Sequence, residues 1–197
     1  KTQKTSMKTA IVIVFTLMCL AQWIVPAKMI YDSEHVITNG TIYKFKTQPI
    51  DPSDPFRGKY ITLNFESNFI KLTDTAEWQA GQEIFVTFTT DSAGFAVAEN
   101  IFSTPPDTES FLRTKVDYIN DYQGKPKLWF TLPFDRFYLE ESKASQAEQL
   151  YWQTQRDSTH VAYGLVSIGK GPAVLTDVFL NGKPIVEIIN SLNNDAN

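Results

Sequence analysis

Four charged side chains lie close together near residue 140, and they are the residues best suited to acid–base chemistry in this chain. They are Asp135, Arg136, Glu140 and Glu141. Two carboxyl groups held near each other can act as a general acid and a general base, as in glycoside hydrolysis. The same run of charges also fits an exposed strand end or the ion-paired start of a helix. The residues alone therefore leave both a hydrolytic site and a structural role open.

A second group of polar side chains lies in a proline-rich segment, residues 48–57. Because each proline fixes φ and removes a backbone donor, we expect an extended, ordered loop there. The loop holds Asp51, Asp54 and Arg57. Calcium needs six or more oxygen ligands, and no glycine-containing acidic loop accompanies the two aspartates. Arg57 lies within reach of either carboxylate, so the expected role of this segment is a structural clamp.

Metal ligands and nucleophiles do not cluster in the sequence. The two histidines, His35 and His160, are isolated, and no serine lies in a Gly-x-Ser-x-Gly turn. The only cysteine, Cys19, lies in an apolar run, so the rest of the chain can form neither a disulfide nor a thiolate metal site. We therefore expect no metal ion and no cofactor, and a noncatalytic role is favoured over an enzymatic one.

Residues 9–27 contain no charged side chain and are mostly apolar. At a rise of about 1.5 Å per residue, their length roughly matches a hydrocarbon core about 30 Å thick. Three lysines precede this run, whereas Asp32 and Glu34 follow it. The positive-inside rule then predicts a single-pass membrane protein with a cytoplasmic N-terminus and an exported C-terminal domain.

A cleaved signal peptide is the alternative interpretation of the same segment. A basic start, a short apolar stretch and a small residue such as Ala21 or Ala27 also suit a signal peptidase. Pro26 is unfavourable just before Ala27, and Met18 is unfavourable before a lipid-modified Cys19. An uncleaved anchor is therefore the favoured prediction.

The charge of the chain differs sharply on the two sides of Lys28. All 22 acidic residues follow Lys28, whereas only 14 of the 18 Lys and Arg residues do, which leaves the exported part at a net charge of −8. Because neutralising phosphates requires a basic face, this charge argues against binding of nucleic acid. The aromatic content of 13% favours a β-rich core.

Alternating apolar and polar residues predict one mainly β domain. The clearest strand starts at Tyr60, where Ile61, Leu63 and Phe65 share one face. A hairpin from Val36 is expected to begin the domain, further strands are predicted at 41–47, 82–90, 95–102, 111–118, 128–132, 160–168, 173–180 and 184–187, and one short helix is predicted at 144–156. This spacing favours an antiparallel barrel or sandwich.

The predicted organisation has four parts. A basic cytoplasmic start (1–8) is followed by a transmembrane anchor (9–30), an exported β-rich domain (31–189) and a frayed tail (190–197). About 165 residues remain after the anchor, which is enough for one domain with its own core.

The stretch PIDPSDPFRGKYITLNF, which ends at Phe65, is similar to the motif that names the GDYXXLXY family of membrane-anchored bacterial proteins of unknown function. Gly58, Tyr60 and Leu63 match the motif, whereas Lys59 replaces its Asp and Phe65 replaces its final Tyr. The replaced Asp argues that this position is structural or on the surface rather than catalytic.

The resemblance extends beyond the motif. It includes the run RFYLEE that starts at Arg136, and it spans roughly Gln22 to Pro184. It implies an anchored, exported domain whose family members are often encoded beside a polytopic membrane protein, and it supplies no catalytic residues.

Three functional hypotheses follow. The favoured one is a noncatalytic accessory or interaction subunit of a polytopic membrane partner. In the membrane segment, Thr16 and Gln22 are candidate contacts with that partner, although Gln22 also suits the lipid interface. The alternatives are an envelope hydrolase using the carboxylates of residues 135–141, and a ligand-binding sensor domain with Trp129 and Tyr138 in its pocket.

Overall fold

A computed structural model describes residues 2–48, 60–72, 78–122, 125–156 and 161–195. The chain begins with a 38-residue helix, α1 (Thr2–Asn39), which passes through Pro26 without ending. Within the described residues, α1 is the one helix that is long and apolar enough to cross a membrane. None of its most apolar window is buried in the protein, so α1 could serve as a membrane anchor.

The rest of the described chain is mostly β-strand. The strands are β1 (Thr41–Gln48), β2 (Tyr60–Thr62), β3 (Asn64–Phe65), β4 (Phe69–Lys71), β5 (Glu83–Thr90), β6 (Ala96–Phe102), β7 (Phe111–Tyr122), β8 (Lys125–Phe130), β9 (Arg136–Tyr138), β10 (Ala162–Ile168), β11 (Lys170–Gly171), β12 (Ala173–Leu180) and β13 (Lys183–Pro184). Two further helices are α2 (Glu141–Arg156) and α3 (Ile185–Asp195).

These strands form two larger sheets and one short ribbon. The first sheet has the order β13-β12-β10-β1-β3, and the second has the order β4-β8-β7-β5-β6, with β11 pairing alongside β7. The strand pairs are antiparallel except for β11 with β7. Strands β2 and β9 pair only with each other and form the ribbon. The predicted mainly β, antiparallel fold class is confirmed, and the sheets are not closed.

A cluster of phenylalanine rings joins the two larger sheets. The ring of Phe45 on β1 lies 5.8 Å from Phe65, 5.0 Å from Phe88 and 5.1 Å from Phe134, in edge-to-face contacts. Each such pair contributes about 0.5–1.5 kcal/mol beyond the burial of its area. Phe45 is completely buried, so the aromatic core lies between the sheets, as in a sandwich.

The end of α1 is attached to the first sheet by a junction formed by Val36, Gly40, Ser167 and Gly169. The backbone oxygen of Val36 accepts a hydrogen bond from the Gly40 N–H (2.8 Å) and another from the Ser167 hydroxyl (2.6 Å). Val36 is buried, whereas its neighbours on the last turns of α1 are mainly exposed. Helix α1 therefore projects away from the domain and touches it only near its C-terminal end.

Several predicted elements are confirmed with small changes of boundary. Strands at 41–47, 82–90, 95–102, 111–118, 128–132, 160–168 and 173–180 are observed as β1, β5, β6, β7, β8, β10 and β12. The tight turn after β12 has Asn181 at φ 53° and Gly182 at φ 80°, as a type I′ turn requires. Helix α2 is also present, but it starts at Glu141 rather than at residue 144.

Other predicted boundaries were wrong. The expected hairpin at Val36 is the last turn of α1, because Val36 is held in the junction rather than in a strand. The predicted strand at 184–187 is largely replaced by α3, which ends at Asp195. Ile185 and Ile189 lie one helical turn apart and are both fully buried, so packing beside α2 outweighs the strand preference of β-branched residues. Strands β4 and β9 were not predicted.

Candidate functional site

The ribbon of β2 and β9 separates an inward face from an outward face. Its register places Tyr60 opposite Tyr138, and Thr62 opposite Arg136. Between these pairs, Ile61 is 2% exposed, and its partner Phe137 packs against the core. Because side chains alternate along a strand, the outward face consists of Tyr60, Thr62, Arg136 and Tyr138, which we call the ribbon face.

The ribbon face combines two aromatic rings with one guanidinium group. The rings of Tyr60 and Tyr138 lie 5.5 Å apart, and the guanidinium carbon of Arg136 lies 5.0 Å from the centre of the Tyr60 ring. This arrangement has the geometry of a cation–π contact. Tyr138 is 66% exposed, so the face is open to solvent on one side.

The electrostatic environment of Arg136 favours its charged form. Hydrogen bonding with the Tyr138 side chain is the main cause that raises the pKa of Arg136, followed by the charges of Tyr60 and Asp135. The closest approach to Asp135 joins Nε of Arg136 to Oδ1 at 3.9 Å, at the limit of an ion pair. The ribbon face therefore carries a permanent positive charge, and within the part of the chain that the structure describes its carboxylate partner, Asp135, is loosely placed.

The structure divides the motif around Tyr60 between surface and core. Tyr60 lies on the ribbon face, whereas Leu63 and Phe65 are buried. The Leu63 N–H donates to the backbone oxygen of Asp135 at 2.7 Å, which ties the motif to the strand that carries Arg136. Phe65 belongs to the aromatic core. Four motif candidates, Asp51, Asp54, Arg57 and Gly58, lie outside the described residues, so their predicted clamp is not tested.

The candidate carboxylates lie in solvent near the start of α2. The side chains of Asp135 and Glu140 are 53% and 73% exposed. Glu140 lies 3.3 Å from the ammonium group of Lys143, and its backbone oxygen accepts hydrogen bonds from the N–H groups of Lys143 and Ala144. Glu141 is the first residue of α2, and its side chain is not described. These contacts correspond to the ion-paired helix start that the sequence left open.

A groove of about 770 Å³ lies elsewhere, beside the outer strands of the second sheet. Its walls include Lys46, Phe69, Phe95, Val97 and Glu99, and neither Trp129 nor Tyr138 lines it. The ring of Trp129 instead stacks on Tyr118 at 4.8 Å and contacts Phe69 at 5.8 Å. The sensor-domain hypothesis placed Trp129 and Tyr138 in its pocket, and this groove is lined by neither residue.

The remaining candidate residues are Thr16, Gln22 and the two histidines. Thr16 donates to the Val12 backbone oxygen at 2.9 Å, so its hydroxyl is satisfied within α1. Gln22 is exposed, and its amide makes no hydrogen bond within the described part of the chain. His35 lies on α1 with its ring 6.3 Å from Tyr31, and His160 lies outside the described residues. The described ranges contain no group of three or more His, Cys, Asp or Glu residues arranged for a metal ion.

Tyr60 and Arg136 belong to two separate motifs, and the sequence does not indicate that their side chains lie close together. Strand β9 has only three residues, so its alternation of Arg136, Phe137 and Tyr138 is too short to identify a strand alone. The only local indication of this strand in the sequence is one phenylalanine between two polar side chains. Their proximity depends on a long-range strand pairing that spacing along the chain does not reveal.

These features define a class of protein in which one long apolar N-terminal helix carries an antiparallel β-sandwich with an exposed ribbon. The family model described as GDYXXLXY protein matches residues 22–178, and the chain belongs to this family. The match begins within α1 and ends within β12, so it includes both the junction and the ribbon face. No curated protein and no solved structure matches the chain.

Proposed function

We propose that this protein is a noncatalytic interaction subunit of a polytopic membrane protein. Helix α1 lies in the bacterial cytoplasmic membrane with its N-terminus in the cytoplasm, and the β domain lies in the periplasm. The proposal rests on one observation above all: a helix whose apolar window is unburied continues without interruption into the folded domain. Such a chain places a binding domain at a set position beside the membrane.

The position of the lysines supports the proposed orientation. Three lysines precede the apolar run, whereas the acidic residues all lie on the domain side of Lys28. A cytoplasmic excess of basic residues determines the orientation of most single-span proteins.

Gln22 supports a second contact inside the membrane. Its amide has no hydrogen-bond partner among the described residues, whereas the Thr16 hydroxyl bonds within its own helix. Because lipid offers no hydrogen bonds, an amide at membrane depth is stabilised by a polar group on another helix. Gln22 is thus the better candidate of the two for a contact with the partner.

The noncatalytic part of the proposal rests on the carboxylates. Asp135 and Glu140 are more than half exposed, and Glu140 is paired with Lys143 at the start of α2. General acid catalysis by a carboxyl group usually requires a shielded environment that raises its pKa. The observed surroundings instead suit a role in helix capping and solubility.

Copurification of the tagged full-length chain tests the proposal. We expect a multi-span membrane protein to be recovered in stoichiometric amounts in mild, uncharged detergents. Gln22→Leu should lower this recovery, with Thr16→Val as the matched control that removes an internally satisfied polar group. Recovery of the chain only as a lone monomer in several detergents would contradict the proposed function, and unchanged recovery with Gln22→Leu would limit Gln22 to the lipid interface.

A further inference from the structure

We infer that the ribbon face binds an acidic, solvent-exposed segment of the partner, whose carboxylate is accepted by Arg136. This inference rests on the proposed function, because it names the part of the partner that the domain recognises. The surface concerned consists of Tyr60, Thr62, Arg136 and Tyr138, on the ribbon.

The chain itself provides a comparison between a satisfied and an unsatisfied arginine. Arg113 on β7 binds Glu83 through two nitrogens, with Nε 2.7 Å and a terminal nitrogen 2.6 Å from the same carboxylate oxygen. Among the described residues, the nearest carboxylate to Arg136 is that of Asp135, at 3.9 Å. A guanidinium group has five N–H donors in a planar fork. Arg136 therefore keeps donors that an incoming carboxylate can use, whereas Arg113 already has its acidic partner.

The two tyrosines restrict the orientation of the Arg136 guanidinium group for this contact. Tyr60 lies under the guanidinium group at 5.0 Å, and the Tyr138 ring lies 5.5 Å from the Tyr60 ring. Stacking on an aromatic face suits the planar, weakly hydrated guanidinium group and restricts its orientation. Tyr and Arg are also the residue types that contribute most often to the binding energy of protein interfaces. The ribbon face thus presents a preoriented cation with adjacent aromatic area.

The guanidinium group of Arg136, rather than the overall charge of the domain, favours an acidic segment at this position. The chain beyond Lys28 has a net charge of −8, so attraction of an acidic segment has to come from cations at the contact itself. A planar guanidinium group can bind a carboxylate through two parallel N–H donors, which a lysine cannot do. Charge complementarity of this kind gives specificity more than raw affinity, and it weakens as salt concentration rises.

A direct binding experiment uses a defined probe. The full-length protein in an uncharged detergent is titrated with a fluorescent octapeptide of alternating Glu and Ala, and with the matching peptide of alternating Gln and Ala. We expect the Glu peptide to bind at least tenfold more tightly than the Gln peptide, with affinity falling between 50 mM and 500 mM salt. Equal binding of the two peptides would overturn the inference.

Substitutions localise the binding. Arg136→Gln should weaken binding of the Glu peptide at least tenfold, Arg136→Lys should weaken it less, and Arg113→Gln serves as the matched control with no change expected. Circular dichroism checks that each variant folds. Should Arg136→Gln not fold, Tyr60→Leu tests the same face, because it removes the ring on which the Arg136 guanidinium group lies and keeps an apolar side chain.

The same variants separate this inference from the proposed function. If the wild-type chain recovers a multi-span partner and Arg136→Gln recovers it equally well, the inference is wrong and the proposed function stands. If the wild-type chain recovers no such partner, the proposed function fails whatever the peptides do. A loss of recovery confined to Arg136 variants supports both.

Discussion

Gly164 on β10 lies in a closely packed part of the core. A Cβ atom added at Gly164 would lie 2.8 Å from Cδ1 of Leu175 and 3.1 Å from Cε1 of Phe65. Both distances are shorter than ordinary van der Waals contact, so the neighbouring side chains would have to move. Phe65, at the last position of the motif, thus packs closely over a glycine of β10.

We expect Gly164→Ala to lower the free energy of unfolding by about 1–3 kcal/mol, the usual cost of overpacking a core. Chemical denaturation measures this change. Leu175→Val shortens the side chain that would be closest to the new Cβ, so the double variant should recover part of the loss. Strictly additive effects of the two substitutions would contradict the predicted clash.

Asp177 on β12 is a second residue whose surroundings predict a measurable effect. Burial raises the pKa of Asp177, the hydrogen bond from the Val178 N–H opposes this rise, and the charge of Glu187 adds to it. Asp177 binds its proton more tightly in the folded protein than in the unfolded chain. The free energy of unfolding therefore falls as the pH rises from the ordinary aspartate pKa of about 3.9 through the raised value.

Asp177→Asn removes this charge and keeps an oxygen that can accept from the Val178 N–H. We expect the variant to have a higher thermal midpoint than the wild type at pH 7, and the two midpoints to converge near pH 3, where Asp177 is protonated in both states. Glu99→Gln, on an exposed part of β6, is the control. A wild type that is equally or more stable than Asp177→Asn at pH 7 would contradict the predicted cost of burial.

At the scale of elements, the junction between α1 and the first sheet depends on one buried hydroxyl. Ser167 donates to the Val36 backbone oxygen at 2.6 Å, in a site where Ser167 has no exposed surface. Loss of a buried hydrogen bond of this kind costs about 1 kcal/mol. The bond is therefore expected to contribute measurably to the attachment of α1.

Ser167→Ala tests this contribution. We expect it to lower the free energy of unfolding by about 1 kcal/mol and to increase proteolytic cleavage near residue 36. Ser191→Ala is the matched control, because Ser191 also donates to a backbone oxygen, that of Ile188, but in an exposed turn of α3. Equal effects of the two substitutions would indicate that burial at the junction adds nothing.

Elements were predictable where their patterns were long. The alternation of Ile84, Val86 and Phe88 identifies β5 because eight residues give it several repeats. The run that forms α3 contains isoleucine and valine at positions compatible with either a strand or a helix, and only its packing beside α2 decides between them. The ribbon face could not be predicted, because β2 and β9 have three residues each and pair over a long separation in sequence.

At the scale of the whole molecule, α1 and the β domain form one continuous unit. Between Lys28 and Val36 the helix rises about 12 Å, at 1.5 Å per residue. Strand β2 of the ribbon leads directly into β3, which pairs with the far end of β1, roughly 23 Å from the strand's start at Thr41. The ribbon face therefore lies toward the end of the domain opposite the helix, where a partner must present a segment well outside the membrane.

A distance measurement tests the rigidity of this unit. Spin labels at Trp23→Cys on α1 and Val97→Cys on β6, in a Cys19→Ser background, should give one narrow distance distribution by electron–electron resonance. Replacing Ser33, Glu34 and His35 with glycine should broaden it at least twofold, because glycine weakens the helix. A label pair within the domain, Val97→Cys with Leu192→Cys, should not change. A broad distribution in the unmodified helix would contradict rigid attachment.

The unbroken helix also fixes the rotation of the domain around the axis of α1. Each residue inserted between Lys28 and Val36 would turn the ribbon face by about 100° around the helix axis and raise it by about 1.5 Å. A single inserted residue would turn the ribbon face away from a partner that stays in place. Seven inserted residues would return the ribbon face to within about 20° of its original direction. Lengthening of this segment is therefore compatible with an unchanged interaction only in steps close to whole numbers of helical turns.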